Sequence, residues 1–269
     1  MNKISFIQSL FKGISFYLPK ERSNLILRAL IFKISEQKDL IKHFFIYFDN
    51  RFECRFRLFI HSELSIKEIE KLLYNFLEPY IVQNQTFGHP KQLFKSFEPY
   101  SIIPIAYIEY SDEIYVLKNN VNFFYEYLEN LTILIVKKSD EIDFENENQK
   151  LEFVLELLLS SLAFFDISSK QLLIFYKESL KYKPKLNNYL ENTYGKMVEE
   201  NKENVLIFRK TLMNAEQAND LLNVFWKNNK IRNYKELLRL IFKVLNITSE
   251  QQSYCLFVLH KTSDDLANL

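Results

Sequence analysis

Apolar residues recur at two spacings along the chain, and the change from one to the other divides it. Between residues 40 and 60 they alternate: Phe44, Ile46 and Phe48 share one face of a strand over Leu40 to Phe48, and Phe52, Cys54, Phe56, Leu58 and Ile60 share one face of a second. A one-residue slip turns every side chain of a strand over, so these faces coincide in a hairpin only if the loop holds an odd number of residues. Asp49-Asn50-Arg51 meets that condition, with Asn50 tolerating the left-handed conformation. The resulting register sets Phe48 opposite Phe52, Ile46 opposite Cys54 and Phe44 opposite Phe56; on the other face His43 falls beside Arg57 and Tyr47 beside Glu53. Upstream, Ile4 to Tyr17 lacks helical period and reads as a first strand ended by Pro19, followed by a helix over Lys20 to Ser35.

After the hairpin the period lengthens. Ser65-Ile-Lys-Glu68 is a capping-box pattern, and Ile66, Ile69, Leu72, Leu73 and Phe76 follow at helical spacing to about Leu77. Pro79 and Gly88-His89-Pro90 predict extended chain and a turn, with short strands or loop over Gln92 to Tyr100 and Ile102 to Ile108. From residue 112 helices dominate: Ile114 to Glu129, Glu147 to Phe165, Lys170 to Lys181, Lys185 to Glu200, Val205 to Leu212, Ala215 to Lys227, Tyr234 to Leu245 and Glu250 to His260. Ser168-Ser-Lys-Gln171 and Thr248-Ser-Glu-Gln251 supply two further capping boxes, and the acidic stretch Asp140 to Glu147 reads as a loop. The expectation is an α+β fold with an N-terminal antiparallel sheet around hairpin 40–60 and a helix-rich C-terminal half. No Gly-, Ser- or Pro-rich linker marks the change, so residues 1–269 read as a single domain, mixed strand and helix over 1–111 and mainly helical over 112–269.

Composition narrows the function classes. The 269 residues carry 35 Lys and Arg against 34 Asp and Glu, a net of +1, so no overall field draws nucleic acid or anionic lipid. Three Gly and six Pro leave little material for phosphate-cradling loops or turn-dense all-β folds. The apolar fraction of 48% supports a packed core rather than disorder. Cys54 and Cys255 stand far apart in apolar contexts, which fits a reducing cytoplasm and core thiols rather than nucleophiles. The N-terminus lacks a continuous apolar stretch with a cleavage site, and no run reaches the roughly 18 apolar residues of a membrane span.

Local chemistry concentrates in the hairpin. Three of the eight arginines, Arg51, Arg55 and Arg57, fall within seven residues, and Arg55 and Arg57 share a strand face with Glu53, Phe59 and His61. Planar guanidinium groups pair bidentately with carboxylate or phosphate, so two on one face can orient an anionic group; the same pattern also describes the solvated side of a sheet. His61, on that face, has the intrinsic pKa for a general base near neutral pH, and equally suits a surface strand end. His89 and His260 lack partners at metal-ligand spacing, and no metal or organic cofactor is expected.

These residues carry a resemblance. The order of strand, helix, Phe44-Phe-Ile-Tyr-Phe-Asp49 and Phe52-Glu-Cys-Arg-Phe-Arg57 resembles the start of the thiopeptide-type bacteriocin biosynthesis family, which is similar to the C-terminal elimination domain of class I lantibiotic dehydratases. Phe76-Leu-Glu-Pro79, Ser96-Phe-Glu-Pro-Tyr100, the helix Phe153 to Phe164 running into Asp166-Ile-Ser-Ser-Lys-Gln-Leu-Leu173, and the closing pair Leu237 to Ile247 and Glu250 to His260 follow in the family's order. The resemblance implies maturation of a ribosomally made, modified peptide, by glutamate elimination from a glutamylated precursor or by a related lyase or cyclisation step, such as joining two dehydroalanines. It implies Arg55 and Arg57 as cations for the leaving carboxylate; His61, on the same face, is the candidate catalytic residue beside them, and Arg51, Glu53, Tyr47 and His43 around them are candidate substrate-binding residues. The implied partners are leader and core of a precursor peptide, a glutamylating dehydratase and a second copy of the chain.

The departures are as specific as the matches. Tyr47 stands where the family's first strand has Arg, Glu53 where it has His before the paired arginines, Ile103-Pro104-Ile105 where it has Arg-Tyr-Gly, and Leu238 or Leu240 where the closing helices carry His. Elimination needs a base for the Cα proton. Either His61, His43 or Glu53 supplies it, or the protein is a non-catalytic relative that binds leader peptide or a partner enzyme.

Overall fold

The computed structural model describes residues 11–49, 54–80, 92–93, 96–97, 101–104, 121–165, 167–181, 183–200 and 230–263. The chain is α+β and divides into two compact units, Met1–Glu145 and Asn146–Leu269. The boundary falls some thirty residues after the compositional shift at 112, because the first long helix beyond the shift packs on the sheet.

In the first unit, β1 (Phe11–Tyr17), α1 (Lys20–Ser35), β2 (His43–Phe48), β3 (Cys54–His61) and α2 (Ile66–Leu77) are followed by the short strands β4 (Gln92–Leu93), β5 (Ser96–Phe97) and β6 (Ser101–Pro104), then by α3 (Val121–Lys138). The main sheet runs β2-β3-β1-β6, with β3 antiparallel to both β1 and β2 and β6 antiparallel to β1. The strands joined by α1 are therefore parallel and split by β3, which is the ferredoxin-like β-α-β-β-α-β arrangement. β4 and β5 form a separate ribbon. The Ser65–Glu68 capping box at the start of α2 is formed in both directions, as its sequence predicts.

The hairpin keeps the predicted faces but not the predicted register. His43 pairs with His61, Phe44 with Ile60, Ile46 with Leu58, Tyr47 with Arg57 and Phe48 with Phe56. This is a shift of four residues from the expected pairing of Phe44 with Phe56 and His43 with Arg57. Alternation fixes only whether the loop is odd, and loops of three, five or seven residues satisfy it equally. Asn50, Arg51, Phe52 and Glu53 lie outside the described residues, as do the predicted strand start at Ile4, the turn at Gly88-His89-Pro90 and the helices Val205 to Leu212 and Ala215 to Lys227.

The expectation of a solvated second face is corrected. Phe45, Tyr47 and Phe59, which share that face with Arg57 and His61, are buried, and their rings pack at 4.9 to 5.3 Å between centroids. The free edge of β2 is covered as well: α3 packs on it, and Thr132 Oγ1, fully buried, accepts the Ile46 N–H at 3.1 Å while donating to the Leu128 carbonyl at 2.8 Å. An unpaired strand edge is thus closed by a side chain. α3 continues to Lys138, nine residues past the predicted end at Glu129, because burial of Leu131 and Ile135 outweighs the weak helix propensity of the β-branched run.

The second unit is helical: α4 (Glu147–Phe165), α5 (Ser169–Leu180), α6 (Pro184–Leu190), α7 (Lys196–Glu200), α8 (Lys230–Val244) and α9 (Ser249–Ser263). α9 packs against α4, α5, α6 and α7, so five consecutive residues, Cys255 to Leu259, are buried around its whole circumference. A π-helical turn, Glu191–Gly195, interrupts the helix predicted over Lys185 to Glu200. The capping boxes at Ser168 and Thr248 both form. Asn246, at φ 51°, takes the left-handed position that ends α8, and Ile247 N–H reaches back to Phe242 O at 2.8 Å.

Thr132→Val keeps the shape of the side chain but strands the Ile46 N–H without an acceptor. Its expected cost is about 1–3 kcal/mol, read as a lower urea midpoint at unchanged slope.

Candidate functional site

The face of β2 and β3 that carries His43, Tyr47, Arg57 and His61 has a polar group at each end and rings between. At the arginine end, Arg57 Nη2 meets Asp49 Oδ2 at 2.6 Å, and the Asp49 carboxylate is buried. Tyr17 and Cys54 lie in the same corner. Burial pushes the Tyr17 phenol up to about 12 and the Cys54 thiol up to about 11, so both stay neutral beside Arg57 and Asp49.

Arg55 is turned aside by a bulge. β1 pairs Phe16 with Phe56 and then Tyr17 with Cys54, which leaves Arg55 without a partner across that ladder. Its Nε donates to the Leu18 carbonyl at 2.9 Å, and Nη1 lies 3.5 Å from Glu145 Oε2. Ser23 Oγ donates to the other Glu145 oxygen at 3.0 Å. Both arginines of the predicted anion grip therefore face carboxylates of their own chain. Arg51 and Glu53 are outside the described residues.

At the opposite end, the His43 and His61 rings stack with centroids 5.8 Å apart. His43 Nδ1 lies 3.3 Å from Glu129 Oε2, and both side chains are about one-quarter exposed. Tyr125, one turn before Glu129 on α3, packs at 5.7 Å from His43, and Phe11 of β1 at 5.0 Å from His61. Among the described residues His61 Nδ1 is buried with no hydrogen-bond partner. Burial, His43, Lys42 and Lys12 together push the His61 imidazole below its ordinary range, with Glu63 opposing them.

His61 and Arg57 are four residues apart on one strand, about 13 Å at 3.3–3.4 Å per residue. Arg57 moreover leans toward Asp49, away from His61. The predicted base and cations are thus separated along β3. The sequence reading missed Glu129, Glu145 and Tyr125, because each belongs to a segment more than 60 residues from the hairpin and nothing in its local pattern marks it. Cys255, pushed up to about 12 by burial, stays a protonated core thiol like Cys54. Among the described residues no three His, Cys, Asp or Glu side chains converge to hold a metal ion, and no helix is long and apolar enough to cross a membrane.

The depressed His61 fixes the sign of a pH effect. Below pH 6.5 the unfolded chain takes up a proton that the folded imidazole resists, so stability falls as pH drops through this window. His61→Gln removes that term: between pH 7.5 and 5.5 the wild-type urea midpoint is expected to fall further than that of the variant.

Comparison with known proteins places this geometry in a wider fold. No sequence family and no curated protein matches the chain. Among solved structures it is similar to the pyridine synthase TbtD from thiomuracin biosynthesis, at a TM-score of 0.61 and 10% identity, over 96% of this chain and 98% of that one. The two chains share a fold across nearly their whole lengths.

Proposed function

We propose that the protein acts in the maturation of a ribosomally made, modified peptide of the thiopeptide or lanthipeptide kind. The observation that carries this reading is the end-to-end fold likeness to an enzyme of thiomuracin biosynthesis, which agrees with the hairpin and helix motifs resembling the thiopeptide-type family. In this reading the two units act as one protein in the cytoplasm on the core of a precursor peptide, alongside a glutamylating dehydratase. The reaction is glutamate elimination or a related lyase or cyclisation step. Arg55, Arg57 and His61 contribute to it, with His43 and Tyr47 on the same sheet face and Arg51 and Glu53 in the adjoining loop.

A second reading, a peptide-recognition relative without chemistry, is favoured by one specific observation. Asp49 and Glu145 already occupy the guanidinium groups that would hold a leaving carboxylate.

Mass spectrometry of the cognate precursor, supplied in glutamylated and in dehydrated form, separates these. Loss of glutamate identifies an eliminase. A drop in the number of thiol adducts formed by dehydroalanines identifies a cyclase, since cyclisation consumes those alkenes. Binding with neither change identifies a recognition subunit, and absence of both binding and turnover overturns the proposal. Arg57→Ala removes the guanidinium that faces the buried Asp49 carboxylate and is expected to cost about 3 kcal/mol in urea unfolding. Arg55→Ala keeps the fold; in an eliminase it lowers turnover by about 100-fold, as loss of a charge-stabilising donor does, whereas in a recognition subunit it weakens peptide affinity alone.

A further inference from the structure

The sequence leaves three candidates for a base, and the packing of α3 distinguishes them. Glu53 lies outside the described residues. His61 Nδ1 is buried without an acceptor, so nothing among the described residues selects its tautomer. His43 is different: its Nδ1 faces Glu129 Oε2 at 3.3 Å. An ionised carboxylate only accepts hydrogen bonds, so Nδ1 is the nitrogen that carries hydrogen. In the neutral ring the lone pair then sits on Nε2. This is the way a carboxylate orients a histidine base in hydrolase triads, recognised by geometry rather than sequence position.

The surroundings hold that ring in place. Tyr125 packs on it from α3, and His61 stacks on it from β3. The charged groups nearby are Lys12 of β1, tied to the Ser62 carbonyl at 2.5 Å, and Lys42, paired with Glu63 at 2.7 Å. The His43 and Glu129 side chains each remain about one-quarter exposed. A histidine spent on packing alone needs no carboxylate on one nitrogen.

From this geometry we infer that His43 is the proton-accepting residue of the protein, with Glu129 as its positioning residue. The inference rests on the proposed role in peptide maturation and names the base of that same site. On a glutamylated residue the step is a β-elimination. Nε2 takes the Cα proton, the C–H electron pair forms the Cα=Cβ bond, and the Cβ–O bond breaks to release the glutamyl group as its carboxylate. The imidazolium then returns its proton to solvent.

Two readouts keep failure of this inference distinct from failure of the functional reading. In the first, nitrogen-15 spectra of the imidazoles at pH 8 are expected to show His43 as the Nδ1–H tautomer, with a mixture of tautomers in Glu129→Gln. Diethyl pyrocarbonate, which attacks an unprotonated imidazole nitrogen, is expected to modify His43 faster in the wild type than in that variant. An Nε2–H tautomer in the wild type, or no change in Glu129→Gln, overturns the dyad whatever the substrate. In the second, turnover of the glutamylated precursor is expected to fall 10²- to 10⁴-fold in His43→Gln. In Glu129→Gln it falls at least 10-fold in kcat with KM unchanged. Thermal melts within a few degrees of wild type exclude misfolding as the cause, and His43→Asn repeats the test if His43→Gln does not fold. Retained turnover in either folded His43 variant overturns the assignment of the base. A wild type inert on every precursor form overturns the peptide substrate, while the spectra still decide the dyad.

Discussion

β3 is paired on both sides, and that single constraint sets the rest of the first unit. A central strand cannot slip by one residue once β1 and β2 are hydrogen-bonded to it, because an odd shift on either side would exchange its two faces. Its register with β2 places His43 against His61 and Tyr47 against Arg57. Its register with β1 forces the bulge that rotates Arg55 toward Leu18 and Glu145. Each feature of the candidate site follows from how this strand is shared.

The same arrangement explains why the charged groups are paired. With Phe45, Tyr47 and Phe59 buried between the two ends, the polar face is a second core rather than a wet surface. A charge placed at its margin loses hydration and is stable only with a partner. Arg57 finds Asp49, Arg55 finds Glu145, and His43 finds Glu129. The first two pairs draw on the hairpin loop and on the end of the first unit. The third joins the sheet to α3, so the position of an imidazole depends on a helix that begins sixty residues after β3 ends.

Fold likeness at 10% identity preserves architecture while leaving the chemistry to be reassigned. The sheet face offers its own set of side chains. His43, His61, Glu129 and Tyr125 gather where β1, β2, β3 and α3 meet, away from the arginines that dominate the local sequence. The fold fixes these two ends about 13 Å apart on one strand.

The sequence by itself determined the elements. Alternation at Phe44 to Phe48 and Phe56 to Ile60, the caps at Ser65, Ser168 and Thr248, and the bounds of the helices at Lys20 to Ser35 and Glu147 to Phe165 are local signals, set by backbone hydrogen bonding and by which face must leave water. Only the tertiary structure decided the hairpin register, the bulge at Arg55, the burial of the second sheet face and the choice of Glu129 as partner for His43. Parity cannot distinguish odd loops of different length, a bulge adds a residue without altering composition, and a strand face reads as polar whether solvent or a helix lies over it. Each of these was settled by segments distant in sequence and adjacent in space, where long-range pairing and the cost of burying an unpaired charge select one arrangement among several that local pattern allows.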